Sequence, residues 1–194
     1  MTFDEIKKVL KTKTIGIAGA GGLGSNCTVA LARVGVGNLI VADFDIIVES
    51  NLNRQYYFFD QIGQKKVFAL KENILRINPA VNMEVFDLKL NKENIPSIFA
   101  KCDIIVEAFD IAEMKQMLIE TIITNLPHTP LIVGSGMAGW GNNNLIHTRQ
   151  LSNIYICGDE QSEIAETLPP LAPRVGIVSN MQANQVLEIL LNKQ

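Results

Sequence analysis

Residues 14–24 read TIGIAGAGGLG, which predicts a buried strand followed at once by a glycine-rich turn. The turn, Gly19–Gly24, matches the pattern G-x-G-x-x-G, and Leu23–Val34 after it predicts a helix. Glycines permit the tight turn and let backbone N–H groups approach phosphate oxygens at the positive end of that helix. Asp43 follows 19 residues after Gly24, at the end of the next predicted strand, where a carboxylate can bind a ribose. The unit therefore predicts an adenine-nucleotide site, and the turn alone does not separate ATP from NAD.

Strands alternate with helices along the rest of the chain. Further strands are predicted at 38–42, 83–87, 103–107 and 131–133, shorter ones at 145–148 and 153–156, and helices at 3–10, 65–77, 112–124 and 174–191. Such alternation is typical of an α/β fold with a mainly parallel sheet. We expect a Rossmann-like sheet with helices on both faces, short late antiparallel strands, and a single domain over residues 1–194.

Composition narrows the class of protein. The 194 residues are 47% hydrophobic and carry a net charge of −3, which argues against a general nucleic-acid binder. Apolar runs fall short of the roughly 18 residues of a membrane span, and the first ten residues lack the apolar core of a signal peptide. The three cysteines form no CxxC pair, so we expect no zinc site. These features predict a protein of the cytoplasm without membrane or nucleic-acid partners.

A long polar block, DFDIIVESNLNRQ at residues 43–55, follows the second predicted strand. It brings Arg54 next to the expected phosphates, and Lys66 follows 12 residues later. Arginine can grip two phosphate oxygens and lysine adds a mobile charge, an arrangement that suits cleavage of a phosphoanhydride. Hydride transfer from a nicotinamide has no such need. Taken singly, each cation could equally be a solvated surface charge.

Asp110 ends the sequence VEAFD at the carboxyl edge of a central predicted strand. Sites of α/β proteins assemble at that edge, and a carboxylate there can hold Mg²⁺ between phosphate oxygens. The alternative is that Asp110 caps the helix that follows, which its residue type also favours.

Several segments together resemble the ThiF–MoeB family, which is related to the ubiquitin-activating enzymes. They are GAGGLGSN, ADFDIIVESNLNRQYY, GQKKV, RINP and IVEAFD, in order between about residues 13 and 150. The later stretch GSGMAGWG…ICGDE…APRVGI…MQANQVLEILL is similar to the short, thiamine-associated branch. The resemblance implies ATP-dependent adenylation of the C-terminal Gly-Gly carboxylate of a small ubiquitin-like sulfur carrier, with release of pyrophosphate and later delivery of sulfur from a donor.

The resemblance also implies a role for each matching residue. A nucleotide loop is formed by Gly19, Gly21, Gly22 and Gly24, and Asp43 binds the ribose. Asn51, Arg54 and Gln55 face the phosphates. Lys66 contacts the phosphates and the attacking carboxylate, and Asp110 binds Mg²⁺. Arg54, Lys66 and Asp110 are the expected catalytic residues.

The chain also departs from the family pattern. Longer members carry two CxxC pairs, and many have an N-terminal arginine that reaches the neighbouring subunit's site; residues 1–13 here contain no arginine. Cys157 could attack the adenylate or carry a persulfide, or be a small buried residue at a strand end. A homodimer is expected from the family and from the apolar residues spread over the closing helix. Three other functions stay open: an NAD-dependent oxidoreductase, a tRNA-modifying dehydratase of the same family, and a non-catalytic partner-binding subunit.

Overall fold

The computed structural model describes residues 1–192 of the chain. Its helices are α1 (Phe3–Leu10), α2 (Gly22–Val34), α3 (Lys66–Ile77), α4 (Ile95–Phe99), α5 (Ala112–Asn125) and α6 (Ala172–Asn192). Its strands are β1 (Thr14–Ala18), β2 (Asn38–Asp43), β3 (Asn82–Asp87), β4 (Ile104–Glu107), β5 (Leu131–Gly134), β6 (His147–Leu151) and β7 (Ile154–Gly158). Short 3₁₀ turns lie at Glu49–Asn51, Phe59–Gln61 and Asn143–Leu145.

Within residues 1–192, the seven strands form one sheet in the order β3-β2-β1-β4-β5-β7-β6. The first six strands in this order run parallel, and β6 pairs with β7 antiparallel. The predicted Rossmann-like α/β fold is confirmed. The expectation for the late strands was partly wrong, because β7 continues the parallel sheet beside β5 and β6 alone reverses direction.

The strands bury both faces, so their side chains alternate between two apolar clusters. On β4, Ile104 and Val106 join the cluster under α2, α3 and α6, whereas Ile105 joins the cluster under α4 and α5. Strands buried on both faces read as continuous apolar runs, which is why TIGIA and DIIVE were recognisable. Helix α4 was not predicted, because its five residues are too few to show a helical period.

Helix α1 begins as its sequence predicts. The Thr2 side chain accepts a hydrogen bond from the Glu5 backbone N–H, and the Glu5 carboxylate accepts one from the Thr2 N–H. This reciprocal capping satisfies two backbone donors that the first turn leaves unpaired. Across residues 1–192 no helix combines the length and the apolar character needed to cross a membrane.

The closing helix α6 packs against α2 and against the sheet. Of the apolar residues on it that suggested a dimer contact, Val186 and Leu190 are buried and Ile177 is exposed. The others are partly buried and pack against the core, namely Met181, Leu187 and Leu191. The apolar residues that suggested a dimer contact on this helix therefore belong mostly to the chain's own core, and α6 gives less support for self-association than the sequence suggested.

Candidate nucleotide-binding site

A cleft of about 800 Å³ lies at the carboxyl ends of the parallel strands, where the loops after β1 to β5 meet. This is the position at which open α/β sheets bind ligands, and the volume is within the range of small-molecule sites. Eight of the ten predicted site residues line it: Gly19, Gly21, Gly22, Asp43, Arg54, Gln55, Lys66 and Asp110. Gly24 and Asn51 lie outside the lining.

The turn between β1 and α2 is formed by glycines. At two of its positions, Gly19 and Gly24, the backbone leaves no room for another residue. Gly19 has φ +104°, a left-handed conformation that side chains disfavour. A Cβ on Gly24 would lie 1.9 Å from the Gly19 carbonyl oxygen, so the helix could not begin so close to the strand. Gly24 therefore shapes the turn, while Gly19, Gly21 and Gly22 form the surface that faces the cleft.

Asp43 joins the end of β2 to the glycine turn. Its Oδ2 accepts a hydrogen bond from the Ala20 N–H at 2.6 Å, and its Oδ1 accepts one from the Asp45 N–H at 2.8 Å. Burial raises the pKa of this carboxyl, against the opposing effect of these two N–H groups and of nearby Lys66. Each oxygen keeps a second lone pair for a ligand hydroxyl, so the anchoring contacts are compatible with the predicted ribose contact.

The polar block after β2 places Arg54 and Gln55 over the glycine turn. The Arg54 stem passes 3.6 Å from the position of a Cβ on Gly22, and its Nη1 donates to the side-chain oxygen of Asn53 at 2.7 Å. Gln55 is 9% exposed, and within residues 1–192 no group donates a hydrogen bond to its Oε1. A buried polar atom without a partner beside a cleft is the state expected before a ligand binds.

Asn51 was predicted to face the phosphates, and the structure does not place it there. Its Oδ1 accepts a hydrogen bond from the Val48 N–H at 3.1 Å, so the side chain closes the 3₁₀ turn Glu49–Asn51 from within. A side chain three residues from a free N–H often satisfies that group, and the Asn51 oxygen is engaged in this way within the turn. Ser50 and Asn53 line the cleft in its place.

Lys66 begins helix α3 and is 6% exposed. Its Nζ lies 2.8 Å from Asp45 Oδ2, and both residues line the cleft. An ammonium that is largely shielded from water interacts more strongly with an incoming anion than a surface lysine does. Lys66 is therefore not a solvated surface charge, which was the alternative that the sequence left open.

Asp110 lies in the turn after β4 and lines the cleft. The predicted alternative, that it caps α5, is wrong, because the cap position of that helix is taken by Ile111. Among residues 1–192 no three His, Cys, Asp or Glu side chains converge on one point. One carboxylate with the phosphates of a bound nucleotide suits Mg²⁺, which is usually held by one or two carboxylates and phosphate oxygens.

An apolar wall completes the cleft on the side of β3 and β4. It is formed by Phe44, Leu88, Leu90, Phe109, Ile111 and Met114. Such a wall suits a planar aromatic base next to the polar phosphate end. None of these residues was predicted to face a ligand, because apolar side chains carry no pattern in a sequence that separates a ligand wall from a core.

The opposite wall comes from segments 134–142 and 158–171, which contribute Met137, Ile164, Pro169 and Pro170. A buried ion pair between Asp159 and Arg174 ties this wall to the start of α6, and Arg174 also donates to the Gly141 carbonyl. Sequence reasoning missed this pair as well.

Cys157 is fully buried on β7, and burial raises the pKa of its thiol. A raised pKa leaves little thiolate near neutral pH, and a buried sulfur has no access to a substrate. The structure therefore favours the structural interpretation of Cys157. Cys27 and Cys102 are also buried.

The arrangement combines in one cleft an apolar wall, a glycine turn at a helix N-terminus, the cations Arg54 and Lys66, and the carboxylates of Asp43, Asp45 and Asp110. Such a cleft can hold a nucleoside triphosphate with its base on the wall and its phosphates on the turn. Lys66 and Arg54 can neutralise the charge that develops on a departing phosphate group.

Comparison with protein-family models matches residues 2–194 to the ThiF family. A molybdopterin-synthase adenylyltransferase of Haemophilus influenzae is 32% identical over 199 residues, with 97% of this chain and 79% of that protein covered. An adenylyltransferase and sulfurtransferase UBA4 of Candida glabrata is 30% identical over 189 residues, with 94% of this chain and 43% of that protein covered. The chain thus spans less than half the length of that longer relative.

Among solved structures, the Escherichia coli tRNA N6-threonylcarbamoyladenosine dehydratase TcdA in complex with ATP superposes with a TM-score of 0.88. The alignment covers 98% of this chain and 90% of that one, at 19% sequence identity. At this identity the likeness is evidence for the fold.

Proposed function

The chain belongs to the ThiF family, and from that premise we propose that it adenylates the C-terminal carboxylate of a small ubiquitin-like sulfur carrier ending in Gly-Gly. ATP is the second substrate, pyrophosphate the product, and residues 1–194 act as one adenylation domain. The observation that carries the proposal is the cleft itself, where Arg54 and the buried Lys66 lie beside a glycine turn. Relatives named as adenylyltransferases support the reaction type.

In this proposal the chain's residues act by positioning and charge neutralisation. N–H groups of the turn Gly19–Gly22 bind phosphate oxygens, Asp43 binds a ribose hydroxyl, and the apolar wall receives the adenine. Arg54 and the amide of Gln55 face the β and γ phosphates. Asp110 would hold Mg²⁺, which supplies charge neutralisation at the phosphates when bound.

The chemical step needs no general base, because the attacking carboxylate is ionised at neutral pH. One of its oxygens bonds to the α-phosphorus while the bond from that phosphorus to the bridging oxygen of pyrophosphate breaks. Lys66 Nζ, now paired with Asp45, would turn to the phosphates and the incoming carboxylate. The sulfur of a donor would then bond to the acyl carbon of the adenylate while the bond from that carbon to the phosphate oxygen breaks and AMP leaves. The thiamine-associated branch is the pathway we propose on the resemblance of the later segments.

The test is ATP–pyrophosphate exchange with purified candidate carriers that end in Gly-Gly. We expect exchange that needs the carrier and is lost when its last glycine is removed, since the reacting carboxylate is then misplaced. In the absence of carrier, ATP with Mg²⁺ should raise the melting temperature, because a ligand that binds the native state stabilises it by mass action.

The thermal measurement also separates the alternatives. A larger shift with NAD or NADP than with ATP would contradict the proposal and favour an oxidoreductase. An ATP shift without exchange for any carrier tested would favour a non-catalytic subunit or the dehydratase activity, and the latter is measured on modified tRNA.

We also propose that the protein is a homodimer in the cytoplasm. The support comes from the segment after the polar block, where Phe58, Phe59, Ile62 and Phe68 are exposed, Phe59 to 75%. Clustered exposed apolar residues mark interaction sites, and interfaces that are covered permanently are the more apolar ones. Because residues of one chain line the cleft from the glycine turn to Asp110, we expect each site to be complete within one subunit.

Light scattering should therefore give about twice the chain mass of 21.4 kDa, and Phe59→Asp should shift the mass towards the monomer, since a charge cannot be buried in that contact. Ile123→Asp is the matched control, because Ile123 is exposed on α5, on the other side of the sheet. A wild-type mass near 21.4 kDa would contradict the dimer.

A further inference from the structure

Glu107 is a fully buried carboxylate at the end of β4, in the middle of the sheet. Lys115 of α5 forms an ion pair with its Oε2, and the Phe109 N–H donates to its Oε1 at 2.7 Å. A buried charge is costly unless it is paired and hydrogen-bonded, and both oxygens here have a partner. The adenylation chemistry proposed above makes no use of either side chain.

The contacts of this pair join three segments that form the cleft. Lys115 Nζ also donates to the Gly134 carbonyl at 2.7 Å, where β5 ends and the far wall begins. The Gln182 side chain of α6 donates to the Glu107 carbonyl at 2.9 Å. The turn Ala108–Ile111 lies between these attachments, and all four of its residues line the cleft.

We propose that Glu107 and Lys115 are positioning residues that fix the turn Ala108–Ile111, and with it the carboxylate of Asp110, for the phosphates and Mg²⁺ of the bound nucleotide. The inference rests on the proposed function. The geometry supports it because the Phe109 N–H, one residue before Asp110, is held directly by Glu107. An apolar pair of similar size would fill the same space without holding that N–H.

The test uses the double variant Glu107→Leu with Lys115→Met, an apolar pair of similar size that cannot accept the hydrogen bond from the Phe109 N–H. Removing both charges avoids an unpaired buried ion, so we expect a melting temperature close to that of the wild type. We expect kcat of pyrophosphate exchange to fall at least 10-fold and the Mg²⁺ concentration for half-maximal rate to rise by a similar factor. KM for ATP should change less than threefold, because the glycine turn and Asp43 are untouched.

A second readout needs no carrier and no turnover. The Mg²⁺ concentration that gives half of the ATP-induced rise in melting temperature is measured for both proteins, and we expect a higher value for the double variant. This melting-temperature readout tests the roles of Glu107 and Lys115 even if no carrier supports pyrophosphate exchange. A lack of exchange with every carrier would count against the proposed function alone.

A folded double variant with wild-type kcat and wild-type Mg²⁺ dependence would show that the pair is merely structural and overturn the inference. If the double variant does not fold, Glu107→Leu alone is measured in the same way. This side chain has no acceptor for the Phe109 N–H, and Lys115, which is partly exposed, can be solvated without its partner. An unchanged Mg²⁺ dependence in both assays would then overturn the inference.

Discussion

Lys66→Met is expected to lower the rate of carrier-dependent pyrophosphate exchange by roughly two to three orders of magnitude, the usual cost of removing one charge-stabilising group from an active site. The methionine fills similar space, so the fold should be retained. Lys66 is 6% exposed and faces the same cleft as the glycine turn. In the proposed complex its charge would therefore act on the phosphates in surroundings that water screens weakly.

Lys65→Met is the matched control, because Lys65 is the preceding residue and also forms an ion pair. Its Nζ lies 3.0 Å from Asp87 and donates to the Phe44 carbonyl at 2.9 Å, and its side chain is far more exposed than that of Lys66. We expect this variant to keep most of the activity. An equal loss in the two variants, or full activity of Lys66→Met, would remove Lys66 from the proposed chemistry.

The glycine turn and its cations could be predicted because their signals are local. Gly19–Gly24 combines a fixed glycine spacing with a strand before it and a helix after it, and Lys66 follows the polar block at the start of a predicted helix. The carboxyl ends of parallel strands meet at one edge, so residues that end such strands must lie near one another. Asp43 and Asp110 meet in the cleft for this reason.

Side-chain pairing over longer distances could not be predicted. Asn51 lies in the same polar block as Arg54 but does not line the cleft, and its oxygen accepts the Val48 N–H instead. Glu107 and Asp110 are three positions apart in the sequence, but strand β4 ends between them. The carboxylate of Glu107 is therefore buried, whereas Asp110 lines the cleft. Such differences depend on the loop geometry and on partners from other elements, which one sequence does not contain.

Arg174→Met is expected to destabilise the protein strongly. Arg174 and Asp159 are 4% and 5% exposed and form an ion pair that joins the loop after β7 to helix α6. Breaking such a pair leaves an uncompensated buried charge, which typically costs about 3–5 kcal/mol. For a chain of this size that corresponds to a fall of about 10 °C in melting temperature, measured by calorimetry or circular dichroism.

The loss of stability in Arg174→Met is expected to depend on pH, whereas a simple packing defect would not. Burial would raise the pKa of Asp159, but the N–H groups of Ser162 and Gln161, the Ser162 hydroxyl and Arg174 together lower it to about 2, below the ordinary 3.8. The carboxylate therefore contributes stability that is complete above pH 3.8 and is lost as the pH falls towards 2, about 2 kcal/mol in all.

Without Arg174 the pKa of Asp159 rises, so the variant has less of this contribution to lose in acid. The difference in melting temperature between wild type and Arg174→Met should be largest near neutral pH and narrow below about pH 4. Arg149→Met is the control, because Arg149 pairs with the neighbouring Glu160 at the surface, where water screens the charges, and it should change the melting temperature little. A difference that stays constant from neutral to acid pH would show that Arg174 stabilises the wall by packing and not through the charge of Asp159.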